Sequence, residues 1–304
     1  MNACPPVGLF IFNRPECARQ VVAALRRARP ARVFVVADGP RAGVAGEAAA
    51  CAAARAVVEE GIDWPCAVTR DYAEENLGCA RRVSSGLDRI FAQVEAAIVL
   101  EDDCVPDDGF FPYCGELLER FREDPRVGVI GGSNFQPRDV TGGAGYYFSD
   151  YPHCWGWATW RRAWRAYDHD MGDWPAAKRA GWPRTKFAAA REALFWTRVL
   201  DRVFSGEIDS WAYRWAFACW RKNFLTVLPA TGLVTNIGFD GAATHTRRVP
   251  AGVGQRSWPQ PWPLRHPAGV ARNARADRHT FEHHFHPTPT VRLRRIIARV
   301  LGAR

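Results

Sequence analysis

Short apolar runs alternate with helical patterns through the first half of the chain. VGLFIF (7–12) leads into a segment that opens at Pro15 and repeats apolar residues at Ala18, Val21, Val22 and Leu25. That spacing places them on one helical face, and Pro is favoured in a first helical turn. RVFVVA (32–37) stops at the turn signal DGP, and an alanine-rich helix follows. PCAVTR (65–70), a helix over roughly 79–93, AAIVL (96–100), a helix from Phe110 to Arg122 and RVGVIGG (126–132) continue the series. Short apolar strands separated by amphipathic helices predict parallel βαβ units with helices on both faces of the sheet. Ligands of such sheets sit beyond the carboxyl ends of the strands. Asn13–Arg14, Asp38–Gly39 and Glu101–Asp103 then fall along one rim.

The second half changes character. It holds most of the thirteen tryptophans, many of them in HCWGWATWRRAW (153–164) and DSWAYRWAFACW (209–220). Helices over roughly 187–204 and 210–222 and a strand FLTVLP (224–229) are expected there. Trp211, Trp215 and Trp220 recur at helical spacing and read as core. Trp155 and Trp157 flank a glycine in an expected loop, where an indole suits either the apolar face of a sugar or packing at a hinge. Beyond Arg247 the chain is rich in proline and glycine, as in a wrapping arm or linker.

Composition narrows the class. Nearly half of the 304 residues are hydrophobic, enough for a folded core, yet no apolar run approaches the ~20 residues of a membrane span. No charged leader followed by an apolar stretch opens the chain, so no secretory signal is expected. Nine scattered cysteines without a CxxC pair read as reduced thiols of a cytoplasmic protein, not as a disulfide framework or zinc cage. The net charge of +9 belongs to the tail: twelve arginines after Thr246 face only Asp277 and Glu282, so residues 1–246 carry about one net negative charge. TVRLRRIIARVLGAR (290–304) gathers Val291, Ile296, Ile297, Val300 and Leu301 near one helical face among arginines. Such a helix suits an anionic membrane surface or packing on the domain equally well. The segment HTFEHHFHP (279–287) lacks zinc spacing and reads as a solvated tail.

The chemistry concentrates in VEAAIVLEDDCVPDDGFF (94–111), where Glu101, Asp102, Asp103, Asp107 and Asp108 fall within eight residues. Carboxylates so crowded repel one another unless a cation or strong donors intervene. Asp107 and Asp108 suit the start of the following helix. Glu101–Asp103 lie too far upstream for that, and hard oxygen ligands in a short loop suit Mg²⁺ or Mn²⁺.

IVLEDDCVPDDGFF resembles the DXD-type metal motif of GT-A glycosyltransferases in its EDD form, as in N-acetylglucosaminyltransferase I and bacterial family-2-like enzymes. FIFNRPE (10–16) with VVADGP (35–40) resembles their opening nucleotide-binding strands. NLGCARRVSSGLDRIF (76–91) resembles the helix before the metal strand, and CWGWATW (154–160) with GEIDSWAYRW (206–215) resembles the acceptor half. The resemblance implies a GT-A α/β fold over residues 1–246, with a nucleotide-binding half to about 135, an acceptor half after it, and a basic extension at 247–304. It implies that Asp103 ligates Mn²⁺ or Mg²⁺ on the donor diphosphate, that Asp102 meets the ribose region and that Glu101 meets sugar hydroxyls. Arg14 falls on the diphosphate position, Asp38 on the base, and Arg81 and Arg82 on the nucleotide pocket. Asp38 is equally an ordinary turn residue.

Asp209 is the implied base that takes the acceptor proton in an inverting transfer, although Asp is also a favoured helix cap; Glu207 is the fallback. His245 is the implied late ligand to metal or diphosphate. Trp157 would pack on the donor sugar, and Ser133 and Asn134 are placed to bond sugar or acceptor. The expected function is metal-dependent, inverting transfer from a nucleotide sugar, UDP-linked by preference, to a glycan or lipid-linked hydroxyl at the inner membrane face. A sugar-1-phosphate nucleotidyltransferase can share this sheet, but FNRPE lacks the glycine-rich loop of that class. A membrane- or nucleic-acid-binding module leaves the acidic turn unexplained, and an acidic rim repels nucleic acid.

Overall fold

The protein is described by a computed structural model covering residues 4–238 and 260–286. The strands are β1 (Val7–Ile11), β2 (Arg32–Ala37), β3 (Ala67–Tyr72), β4 (Ala96–Glu101), β5 (Cys104–Pro106), β6 (Val127–Gly131), β7 (Tyr146–Ser149), β8 (Trp157–Trp160), β9 (Leu225–Pro229) and β10 (Val234–Asn236). The helices of the first half are α1 (Pro15–Ala28), α2 (Glu47–Gly61), α3 (Cys79–Gln93) and α4 (Phe110–Arg120). Those of the second are α5 (Arg161–Trp164), α6 (Trp174–Arg179), α7 (Trp182–Lys186), α8 (Ala190–Phe204), α9 (Trp211–Lys222) and α10 (Ala274–Thr280), which runs into a π-helical turn at Phe281–Phe285.

Eight strands form one sheet in the order β3-β2-β1-β4-β8-β6-β9-β7. All run parallel except β8 and β7, which pair antiparallel with their neighbours. The α/β class and the mostly parallel sheet expected from the sequence are therefore present. The alternation of side chains along each strand separates two cores. Val7, Leu9, Val33, Val35, Ile98 and Leu100 pack beneath α1, α2 and α4. Phe10, Phe34, Val36, Ala97 and Val99 pack beneath α3 and α9 with Trp157, Trp164, Trp211 and Trp215. Helix α1 turns Ala18, Val21, Val22 and Leu25 into the first core and ends at Arg29 in the left-handed region, where its N–H reaches the Leu25 carbonyl.

The run CWGWATW does not form a loop. Its second half is β8, inserted between β4 and β6, with Trp157 and Trp160 directed to opposite cores. A third aromatic cluster joins α8, α9 and the C-terminal turn through Tyr151, Trp196, Trp220 and Phe281.

Residues 260–286 lie against this body. Leu264 enters the first core. Asp277, 1% exposed, accepts hydrogen bonds from Ser149 Oγ (2.5 Å) and Asp150 N (3.1 Å) and pairs with Arg272 (2.5 Å). Gln136 Nε2 donates to the Ala276 carbonyl and to Thr280 Oγ1. The expectation of a solvated histidine-rich tail fails for this reason: Phe281 is buried, and the residues after it are only partly exposed. Among the described residues no helix is long and apolar enough to cross a membrane. The amphipathic segment 290–304 and His245 lie outside the described residues.

Candidate active site

Strand β4 delivers the acidic triplet to the carboxyl edge of the sheet, and the three carboxylates part there. Asp102 turns back toward β1. It is 3% exposed, accepts from Phe12 N (3.2 Å) and pairs with Arg14 at 2.5 Å. Asp103 pairs with the same Arg14 nitrogen at 2.9 Å and accepts from Asn236 Nδ2 at 3.4 Å. Glu101 shares the strand face of Val99 and opens into a cavity also lined by Asp103 and Arg14.

One guanidinium thus serves two carboxylates and leaves the third without an ion pair among the described residues. Burial, then repulsion from Asp103 and Asp102, pushes the Glu101 carboxyl up to about 8 despite Arg14. Burial raises Asp102 to about 6, with Arg14 opposing and Asp103 adding to the rise.

The β5–β10 pair, Asn236 opposite Cys104, brings the chain after β10 down onto this cluster. A side chain at Gly238 would place its Cβ 2.1 Å from Asp103 Oδ2 and 2.7 Å from an Arg14 nitrogen. Only glycine permits that approach.

These groups suit one kind of metal site. No set of three His, Cys, Asp or Glu residues among the described residues forms a ready-made protein cage. Glu101 and Asp103 instead offer hard carboxylate oxygens at the mouth of a cavity, where a divalent ion would take the place of the Glu101 proton. That donor set fits Mg²⁺ or Mn²⁺ of the open type, completed by substrate phosphates.

The cavity, about 480 Å³, has two ends of opposite character. Arg14, Glu101 and Asp103 form the polar end, and among the described residues they are its only lining side chains of the Asp, Glu, Lys and Arg types. Cys79 at the start of α3 and Cys154 lie between the ends, each within electrostatic reach of Glu101. The other end is aromatic. His284 stacks on Phe135 with ring centroids 4.0 Å apart, Phe135 meets Trp155 edge-on at 5.5 Å, and Phe285 meets Trp196 at 4.9 Å.

Several residues expected at the site have other positions. Trp157 is 1% exposed and stacks on Trp211 at 5.5 Å inside the second core, so it does not reach a sugar; Trp155 supplies the indole at the cavity. Arg82 points inward from α3, donating to the Ala37 carbonyl (3.1 Å) and to both the backbone and carboxylate of Asp71, which rivets β2 to β3. Arg81 is exposed on the same helix.

Asp38 is 6% exposed, and both of its oxygens are engaged. They accept from Gly39 N and Leu77 N, each at 2.9 Å, and from Asn76 Nδ2 at 3.0 Å. Its work here is to tie the end of β2 to the loop before α3. A Cβ at Gly39 would meet the Glu75 backbone at 2.5 Å, which shows how closely that loop is held. Asp38, Arg82, Asp102 and Trp157 do not line the cavity.

Asp209 does not cap α9. Ser210 does, accepting from Tyr213 N. The exposed Asp209 carboxylate instead reaches the first turn of α3, where Oδ2 accepts from Ala80 N at 3.4 Å, while its neighbours Ile208 and Ser210 line the cavity. Glu207 is exposed and paired with Arg202 at 2.7 Å. Asn134 Nδ2 is spent on the Pro229 and Ala230 carbonyls, and Ser133 Oγ donates to the Trp155 carbonyl. Asp107 accepts from Gly109 N ahead of α4, and Asp108 pairs with Arg27.

Sequence reasoning missed Phe135, His153, Cys154, His284 and Phe285. The last two stand in the histidine-rich segment, where Phe281 and Phe285 four residues apart were the available signal of a packed face.

No protein-family model and no curated protein matches the chain. Among solved structures it is similar to S. aureus TarS 1–349 at 10% identity and TM-score 0.46, covering 76% of this chain and 59% of that fragment. It is similar to the inositol-1-phosphate CTP transferase of T. maritima at 11% identity and TM-score 0.41, covering 78% and 90%. HddC from Yersinia pseudotuberculosis matches 54% of this chain and 80% of its own, at 12% identity and TM-score 0.33. These are distant likenesses, and no residue role follows from them.

Proposed function

We propose that the chain is a metal-dependent, inverting glycosyltransferase of GT-A type, moving a sugar from a nucleotide-diphosphate donor, UDP-linked by preference, to a hydroxyl of a glycan or lipid-linked acceptor. The observation that carries this is the shape of the cavity. A carboxylate-and-arginine end lies at the carboxyl edge of β4, and it runs continuously into an aromatic end with no Asp, Glu, Lys or Arg among its described lining residues. A diphosphate and a sugar require these two environments side by side. The narrower resemblance to N-acetylglucosaminyltransferase I rests on the EDD sequence and the ordered set of flanking motifs.

In this function Asp103, with Glu101 beside it, would hold Mn²⁺ or Mg²⁺, which supplies positive charge to the departing diphosphate. Arg14 is held by Asp102 and Asp103 at the same place and offsets charge on the leaving group as the glycosidic bond breaks. Asp102 fixes Arg14 and need not touch the donor. Asp209 takes the proton of the attacking hydroxyl; its Oδ2 rests on the α3 amide and Oδ1 has no partner among the described residues. The protein works on the cytoplasmic side, where the basic tail would meet an anionic membrane.

Nucleotide sugars screened by thermal shift with and without Mn²⁺ test the donor class, since a bound ligand raises apparent stability by mass action. The proposal expects a shift that needs both nucleotide sugar and metal, and a transfer activity lost in Asp209→Asn with that shift retained. Pyrophosphate-dependent exchange would identify a nucleotidyltransferase instead.

A further inference from the structure

The aromatic end of the cavity has more structure than a donor sugar requires. Besides α8 and α9, which supply Trp196 and Trp220, its walls come from Phe135 after β6, Tyr151–Trp155 after β7, and the π-helical turn carrying His284 and Phe285. A π-helical turn widens one turn of helix and commonly marks a functional position. This one is anchored from behind, since Asp277 fixes α10 through Ser149, Asp150 and Arg272.

His153 stands at the centre of these walls. It is 6% exposed, with Phe135 edge-on at 4.5 Å and Phe285 parallel to it at 6.1 Å. Its Nε2 has no hydrogen-bond partner among the described residues. A buried polar atom left unpaired carries a desolvation cost that native proteins normally avoid, so the nitrogen calls for a partner that enters with a ligand. Burial, and the neighbouring His284, hold the ring well below its usual pKa, so it enters such a bond uncharged.

We propose that this compartment binds an uncharged sugar ring of the acceptor, held between Trp155 and the π-helical turn, with Nε2 of His153 bonding a ring hydroxyl. The proposal rests on the glycosyltransferase function above and names its acceptor class. Aromatic faces suit the C–H surfaces of a pyranose. With Arg14, Glu101 and Asp103 at the far end, a carboxylate or phosphate here would find no Arg or Lys among the described lining residues. Nε2 is buried, with Phe135, His284 and Phe285 ranged around the ring, so the sugar reaches it by displacing these side chains.

The test is equilibrium binding of methyl glycosides of neutral hexoses and N-acetylhexosamines, against methyl glucuronide, to the full chain with UDP and Mn²⁺ present, followed by tryptophan fluorescence. A neutral glycoside should bind at least about tenfold more tightly than the glucuronide, and Phe285→Ala and His153→Phe should each weaken it by about tenfold. His153→Gln, which restores a polar atom, should recover it to within about threefold. Amide exchange at residues 281–286 should change on binding.

Each variant must keep the Mn²⁺-dependent nucleotide-sugar thermal shift of the wild type, which separates lost binding from lost folding; Phe285→Leu replaces Phe285→Ala if that shift is absent. No neutral glycoside bound by wild type, equal binding of the glucuronide, or unchanged affinity in both variants overturns the proposal while the donor shift stands. Absence of the donor shift in wild type counts instead against the glycosyltransferase function.

Discussion

Glu101→Gln should remove a loss of stability that grows with pH in the metal-free protein. Glu101 is half-buried beside two carboxylates, and its carboxyl sits at about 8 against an ordinary 4.5. A folded-state pKa raised above the unfolded value means that the native state keeps its proton while the unfolded chain releases one. Between about pH 4.5 and 8 the unfolded chain therefore gains relative to the native, and stability falls as pH rises. A tenfold change in proton affinity is worth about 1.4 kcal/mol, so ionising Glu101 in place costs on the order of 5 kcal/mol. Glutamine cannot ionise and escapes this cost.

Urea denaturation in EDTA, run from pH 5 to pH 8.5, should give nearly equal stabilities at pH 5. By pH 8.5 the variant should lead by a few kcal/mol. Added Mn²⁺ should stabilise the wild type increasingly as pH rises toward 8 and the variant much less, because the ion competes with the proton for the same oxygens. Parallel pH profiles for the two proteins would refute the claim that Glu101 lies uncompensated in this cluster.

Other outcomes follow from the same contacts. Arg14→Met removes the cation from the buried Asp102 and should cost about 3 kcal/mol at pH 8 by denaturant unfolding, less at pH 5, where Asp102 can protonate; equal losses at both pH values would contradict the pairing. Asp277→Asn should cost about 2–3 kcal/mol and speed amide exchange in residues 274–286, and unchanged exchange there would show that the segment is held by other means. Trp157→Phe should lower stability by about 1–2 kcal/mol with donor affinity kept within about twofold, since the indole is core; selective loss of donor binding would restore it to the site.

The strands and helices of the first half were legible because each apolar run and each helical stripe is local. Val7–Ile11 and Pro15–Ala28 follow from their own residues. The carboxylate rim was legible for the same reason, since a parallel sheet places every strand end at one edge. The division of labour within it was not. Glu101, Asp102 and Asp103 look equivalent in sequence, and only Arg14 and Phe12 across the β1 edge decide that Asp102 faces inward. Trp157 and Trp155, two residues apart, were not distinguishable until β8 was known to pair between β4 and β6. The aromatic compartment depends on contacts such as Phe135 with His284, remote in sequence. No local pattern reports those.

The most direct test of the central claim is release of nucleoside diphosphate from UDP-sugars by the full chain, with and without Mn²⁺ or Mg²⁺, beside Asp103→Ala. The account predicts release that requires the ion and disappears in the variant, with its fold retained. Release indifferent to both the ion and Asp103 would contradict it.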